Sequence, residues 1–385
     1  MSGITYGQLI CVICQSELLQ NNKDAAALTC TGCGLSYPLF AGCIPIMLPD
    51  SVPYRVNAFW QYQKHLREAR ATLAELRKAS TSVAAAARAS LLDEALSTNG
   101  GYIARIQQQL AATLPTALLA QPAERFRPLA YFSSFSYLKR DWCGLPADEQ
   151  EIQTIMEAVL AGMPAVIGSQ AQVLVLGAGT GRVAAMLKDH FQQVYAIDLS
   201  LTMACQYHDL VEQGAIRFYD IQSKNARTLA EQAREQWATV GLVPGLEAGS
   251  VHYCVADVKQ IPLPTNSVSA VVSVYFTDTV PLKDYLPEVK RVLEPGGAFI
   301  HFGPLEYHFS DISAHLSVEE VREVFEAHGF RVAQEQEITT NHLFRPESLA
   351  CKTYHNWSFS AVLADKEKPL NQQVKATSVP LAEYI

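Results

Sequence analysis

Four cysteines are spaced to share one metal ion. Cys11 and Cys14 form a C-x2-C pair, and Cys30 and Cys33 form a second pair after fifteen intervening residues. Each pair can sit on a tight knuckle, and two knuckles bring four thiolates to one point, the tetrahedral donor set of a structural zinc site. Four thiolates leave no open coordination position, so the expected role is to staple a small segment that cannot bury much core. Two further candidates lie far along the chain. Asp278 follows the apolar run from Val268 to Val274, and His308 follows the run from Ala298 to Phe302, each beside aromatic residues. If those runs are parallel strands, both residues lie beyond carboxyl ends, where such sheets bind ligands. They should face one crevice although thirty residues separate them.

The elements that would position these groups are legible in the second half of the chain. Val173 to Leu176 reads as a buried parallel strand, followed by a turn with Gly177, Gly179 and Gly181, an amphipathic helix, and a second strand from Val194 to Ile197 ending in Asp198. Glycines serve where the backbone turns sharply and must let a ligand approach. An acid at the tip of the second strand can accept hydrogen bonds from both ribose hydroxyls of a nucleoside. A dinucleotide loop would place its third glycine at position 182, which is Arg182. The one-residue spacing instead resembles that of S-adenosylmethionine (SAM) methyltransferases; an NAD-type cofactor and a turn without a ligand are the alternatives. Val251 to Cys254 reads as a third strand leading to Asp257, the place where that fold has an acid on the adenine amino group. Leu286 to Leu293 reads as a helix stopped by Pro295, Gly296 and Gly297. The fold class expected is α/β: a Rossmann-like SAM methyltransferase sheet with a small N-terminal zinc ribbon and a helical linker region.

Three segments are expected: a ribbon over 1–50, a helical region over 51–130 and a methyltransferase domain over 131–385. The ribbon has a polar hairpin tip at Asn21, Asn22, Lys23 and Asp24, followed by an apolar run beginning at Ile44. It resembles the zinc module at the front of some methyltransferases, including bacterial 23S rRNA guanine methyltransferases, in which it helps to hold RNA. Lys23 is the only basic residue up to Asp50, whereas a ribbon gripping phosphates should have several. A scaffolding or interface role is therefore favoured. In the helical region Ala84 to Leu92 has strong helix propensity, Asn99-Gly100-Gly101 reads as a break, and Tyr102 to Leu114 resumes a helix stopped by Pro115. Gln61, Lys64, Arg67, Arg70 and Arg77 form a polar stripe read as a solvated face. This block would link ribbon and catalytic domain or supply a homodimer contact. The polar stretch from Arg217 to Ser250 is expected to include a helical insertion.

Bulk properties set bounds. The chain has 385 residues, 49% hydrophobic and 18% charged, enough for one large domain and a small one. No apolar run approaches the roughly 18 to 20 residues of a membrane span. The start has no basic stretch leading into an apolar one, so a cytoplasmic address is expected, with nine cysteines as thiols or metal ligands. A net charge of −8 argues mildly against a nucleic-acid partner.

Between these parts Tyr137-Leu138-Lys139-Arg140-Asp141-Trp142 combines a cation with flat apolar surface. The planar fork of arginine suits a carboxylate, and the methionine end of SAM carries one; a surface ion pair beside a buried tryptophan is the alternative. This segment, the glycine turn, Phe276-Thr277-Asp278-Thr279 and Gly303-Pro304-Leu305-Glu306-Tyr307-His308-Phe309 together resemble the carnosine N-methyltransferase family. The likeness runs from Ser133 to Asp365 and includes Tyr354-His355-Asn356-Trp357. It implies that Tyr137, Arg140, Gly177, Asp198, Asp257, Val258 and Val274 line the SAM site, and that Asp278, His308 and Tyr354 hold the acceptor. It also implies methylation of an imidazole nitrogen of a small histidine derivative. Two departures stand out: Asp198-Leu199 replaces the family's Glu-Trp, and the ribbon is not part of the animal enzymes.

Imidazole, with a pKa near 6.5, is largely an unprotonated nucleophile at neutral pH, so orientation is needed rather than a strong base. Asp278 could accept one ring N–H and point the other nitrogen at the methyl group. The acceptor expected is a histidine dipeptide or a thiol- or selenol-substituted histidine of the ovothiol type. An rRNA base methyltransferase that grips RNA through the ribbon is the alternative, and a catalytically idle SAM-fold scaffold a third class. The chain lacks the Asn/Asp-Pro-Pro-Tyr/Phe turn with which enzymes grip exocyclic amines of bases or glutamine amides.

Overall fold

The computed structural model describes residues 6–20, 26–79, 81–120 and 135–364. The ribbon tip with Lys23, Ser133 and the chain beyond 364 lie outside the described residues. Four small strands come first: β1 (Leu18–Gln20), β2 (Ala27–Cys30), β3 (Ser36–Phe40) and β4 (Ile44–Met47). They lead into the helices α1 (Ser51–Lys78), α2 (Val83–Ala112), α3 (Thr116–Leu119), α4 (Phe135–Trp142) and α5 (Pro146–Ala161). Strands and helices then alternate as β5 (Gln172–Leu176), α6 (Arg182–Leu187), β6 (Gln193–Asp198) and α7 (Leu201–Gln213). A hairpin of β7 (Ala215–Ile221) and β8 (Ala233–Thr239) interrupts the alternation. It resumes with β9 (His252–Ala256), β10 (Val268–Val274), α8 (Leu282–Val292), β11 (Leu293–Gly303), α9 (Val318–Ala327), β12 (Phe330–His342) and β13 (Lys352–Leu363).

Among the described residues one eleven-stranded sheet runs in the order β1-β2-β3-β4-β9-β6-β5-β10-β11-β13-β12. From β9 to β11 all pairs are parallel, and β13 inserts antiparallel between β11 and β12. Helices cover both faces of the centre, so β5 and β10 are nearly continuous apolar runs. The order turns back between β5 and β10, and that switch opens a crevice at their carboxyl ends. This is the Rossmann-like SAM methyltransferase sheet expected from the sequence.

The ribbon extends this same sheet. β4 pairs parallel with β9, Ile46 beside Val255 and Met47 beside Ala256. Side chains alternate across a strand, so Ile44 and Ile46 join the core on one face and Met47 the core on the other. Asp50 then caps α1 by accepting the Val52 N–H. Tyr54, Ala58, Tyr62 and Leu66 of α1 and Ile103, Ile106 and Leu110 of α2 pack into the core that holds Leu201, Ala204 and Leu210 of α7.

Two expectations are corrected. Asn99-Gly100-Gly101 does not break the helix, because α2 runs through it. The Asn99 side chain is buried and pairs with both backbone groups of Tyr219, donating to its carbonyl and accepting its N–H, each at 2.8 Å. Tertiary pairing thus offsets the weak propensity. The stretch from Arg217 to Ser250 is not a helical insertion but contains most of the β7–β8 hairpin, with short 3-10 turns after it and before β8. Ile216 and Phe218 point inward around exposed Arg217, the two-residue period of a strand. In addition, β11 begins at Leu293, so Pro295 to Gly297 lie within it as an irregularity: partners jump from Val268–Leu293 to Ala270–Ala298.

Candidate active site

The glycine turn is shaped by what surrounds it. Gly177 has φ +55°, and a Cβ there would come within 2.3 Å of the Phe276 ring. Gly179, φ +57°, donates its N–H to Asp198 Oδ2 at 2.9 Å, while Asp198 Oδ1 accepts the Ser200 N–H at 2.7 Å. One cavity of about 200 Å³ opens on this turn. Gly177, Gly179, Asp198, Asp257, Val258, Val274, Tyr137 and Arg140 are all among its lining residues. Gly181 is not one of them: it caps α6 with φ +83° against Tyr207.

Arg140 reaches the cavity from α4, which is bolted to the glycine turn. Trp142 Nε1 donates to the Thr180 carbonyl at 2.9 Å, and Arg182 Nη1 to the Asp141 carbonyl at 2.9 Å. The Arg140 guanidinium donates through Nε to Asp141 at 2.6 Å and lies 5.3 and 5.7 Å from the ring centres of Tyr137 and Tyr275. Burial opposes its charge, but Asp141 and Glu151 outweigh that and raise its pKa. Its Nη1 is buried without a hydrogen-bond partner among the described residues. A buried cation with an unused N–H on a cavity wall fits a carboxylate. With Asp198 and Asp257 lining the same cavity, its donor and acceptor set fits the amino-acid, ribose and adenine parts of SAM.

α1 braces the loop after Asp198. The Tyr54 hydroxyl donates to the Leu199 carbonyl at 2.6 Å and accepts the Leu201 N–H at 3.1 Å, and the Tyr62 hydroxyl accepts from Thr202 at 2.8 Å. Leu199 and Ser200 line the cavity. No motif marked Tyr54 in the sequence.

Asp278 and His308 are brought together. The His308 N–H donates to the Asp278 carbonyl and the Glu306 N–H to Asp278 Oδ2, both at 3.0 Å. The Asp278 side chain is buried, and burial pushes its carboxyl up to about 6, with nearby His308 pulling the other way. The Tyr354 hydroxyl donates to Glu306 at 2.5 Å, which ties β13 to the same loop. Beneath these loops lies buried His301. Its Nε2–H donates to the Gly303 carbonyl at 3.2 Å, so Nδ1 accepts from Thr277 at 2.9 Å, and Thr277 in turn accepts from Ser273 at 2.8 Å. Desolvation pushes His301 down to about 4 and keeps it neutral, as that chain of donors requires.

Sequence reasoning missed a buried cluster behind Tyr275, which lines the cavity. Glu151 accepts from His342 Nδ1 at 2.8 Å and from the Tyr275 hydroxyl at 3.0 Å. Burial works against the Glu151 charge, but the bond from His342 and the charge of Arg140 hold its pKa down; burial lowers that of His342. The His342 ring lies 4.7 Å from Tyr275 and 5.1 Å from Tyr354. These groups meet only in the fold, and no local spacing announced them.

The four cysteine sulfurs all lie within 4.8 Å of one another, with Cys11–Cys33 at 3.6 Å and Cys14–Cys30 at 3.3 Å. Zinc–sulfur bonds of about 2.3 Å at tetrahedral angles put sulfurs about 3.8 Å apart, so the donor set fits that ion.

A family model described as carnosine N-methyltransferase matches residues 130–365. A carnosine N-methyltransferase of Rattus norvegicus is 28% identical over 236 residues, 56% of this chain and 58% of the rat protein. That of Mus musculus is 27% identical over 236 residues with the same coverage. The chain thus spans less than two thirds of the length of these relatives. A solved SAM-dependent methyltransferase from Methanosarcina mazei overlaps 51% of this chain and 94% of its own, with 13% identity and a TM-score of 0.37, a likeness too loose to bear on activity. By the extent of the family match, the chain belongs to the carnosine N-methyltransferase family.

Proposed function

We propose that the chain is a SAM-dependent N-methyltransferase acting on an imidazole nitrogen of a small histidine derivative. The observation that carries this reading is the buried carboxylate of Asp278, hydrogen-bonded to the loop of His308 and flanked in the chain by Phe276 and Thr279, which line the cavity that holds the unpaired guanidinium N–H of Arg140. SAM, when bound, supplies an electrophilic methyl group. Arg140 and Tyr137 would hold its carboxylate end, Asp198 its ribose, and Asp257 with Val258 its adenine. Asp278 accepts one imidazole N–H, which fixes the tautomer and leaves the lone pair of the other nitrogen free. His308 and Tyr354 position the rest of the acceptor. Holding the acceptor in line supplies several kcal/mol of the barrier reduction. Names of the relatives favour a histidine dipeptide; thiol- or selenol-substituted histidines share the same ring. The four cysteines hold zinc as a structural staple.

The test is an acceptor screen with labelled SAM against histidine, carnosine and thiol-substituted histidines, with the methylated ring nitrogen located by NMR. Label on none of them would overturn the reading. Tyr54 offers an independent check on the cofactor side. Tyr54→Phe removes two hydrogen bonds worth about 1 kcal/mol each. SAM affinity by calorimetry should fall about tenfold, while unchanged affinity would show that the brace is idle.

A further inference from the structure

We propose that Lys352, through its ion pair with Glu306, selects acceptors that carry a free carboxylate beside the imidazole. This rests on the imidazole-methylation reading and names the substrate class for the same site. Lys352 Nζ lies 2.6 Å from Glu306 Oε2 and 4.6 Å above the centre of the Tyr354 ring. Glu306 spans two jobs, because its backbone N–H bonds Asp278 while its side chain holds Lys352 and Tyr354. The ring-orienting carboxylate and the cation are therefore both held by Glu306, one through its backbone and the other through its side chain. The Tyr354 ring under this ammonium lies 5.9 Å from the ring of Tyr275, which lines the cavity, so Lys352 stands one ring away from it.

Contrast with Lys139 shows which lysine is available. Lys139 is 3% exposed and committed to buried Asp148, whereas the side chains of Lys352 and Glu306 are 50% and 45% exposed. Exposed pairs of this kind contribute little and open cheaply. In histidine and in peptides ending in histidine, two carbons separate ring and carboxylate. With the ring on Asp278, that carboxylate takes the place of Glu306 on Lys352. Glu306, released, faces the acceptor's ammonium, so every charge stays paired.

The experiment compares kcat/KM for carnosine and its decarboxylated counterpart, β-alanylhistamine, which keep one ring and differ in one charge. The wild-type protein should prefer carnosine at least about tenfold, because a group built to pair a charge rejects the analogue lacking it. Lys352→Met should bring that ratio close to one, mainly through KM for carnosine, and Lys352→Arg should restore much of it. SAM binding by calorimetry confirms that each variant is folded. Equal turnover of both acceptors by wild type, or an equal loss on both in Lys352→Met, overturns the clamp and leaves imidazole methylation standing. Methylation of neither acceptor by wild type overturns both.

Discussion

Asp278→Asn should lower kcat about a hundredfold or more at pH 7.5 while SAM affinity barely changes. Asparagine keeps an oxygen that can accept the Glu306 N–H, so the loop tie of 3.0 Å survives. What is lost is the negative charge that steers the acceptor ring, and poor orientation of reactants costs on the order of a hundredfold. The same substitution predicts a stability change of opposite sense. A folded-state pKa raised to about 6 means that the charged carboxylate opposes folding at neutral pH, by on the order of 3 kcal/mol. That cost fades as pH falls from 6 to 4, where the folded protein takes up the proton first, so this group makes the fold more stable on acidification. Asp278→Asn should therefore melt no lower than wild type at pH 7.5, and calorimetry can check it. Wild-type turnover should also drop below pH about 6 as Asp278 is protonated. The acceptor's own titration near 6.5 appears in both proteins, so subtracting the two profiles isolates Asp278. A parallel loss of SAM affinity and turnover, or a lower melting point, would sink the orienting role.

Loss of the metal should be the largest stability effect. Metal analysis should find about one zinc per chain, and Cys30→Ser should abolish it. Cys30 is buried, its sulfur accepting the Gly32 and Cys33 N–H groups at 3.3 and 3.4 Å. Structural zinc contributes on the order of 10 kcal/mol in small modules, more than a ribbon of this size can recover by packing. The damage should spread, because Met47 pairs with Ala256 next to Asp257 and α1 presents Tyr54 to the loop after Asp198. A strong fall in melting temperature is expected, together with weaker SAM binding. A metal-free protein of unchanged melting temperature would refute the assignment.

Much of the sheet was readable because its centre is buried on both faces. β5, β6 and β10 then show as nearly continuous apolar runs, and the glycine turn and cysteine pairs have spacings that chemistry restricts. What escaped depends on partners far away in sequence. Asn99 keeps α2 whole by bonding Tyr219, 120 residues on. Glu151 finds His342 across 191 residues, and Tyr54 finds Leu199 across 145. The β7–β8 hairpin hid because its outward positions carry Arg217 and Glu235, which look like a charged helix surface until the period of two is counted.

The pairing of Ile46 with Val255 also sets a timetable. A ribosome adding about 5 to 20 residues per second needs roughly 10 to 40 s to travel from one to the other. Until then β4 has an open hydrogen-bonding flank, an invitation to stray strands in a crowded cell. Assembly of this edge must come late, after most of the parallel core has emerged, and such long-separation contacts slow acquisition of the native state. Nascent chains stalled before Val255 should bind chaperones more strongly than chains released just beyond β9.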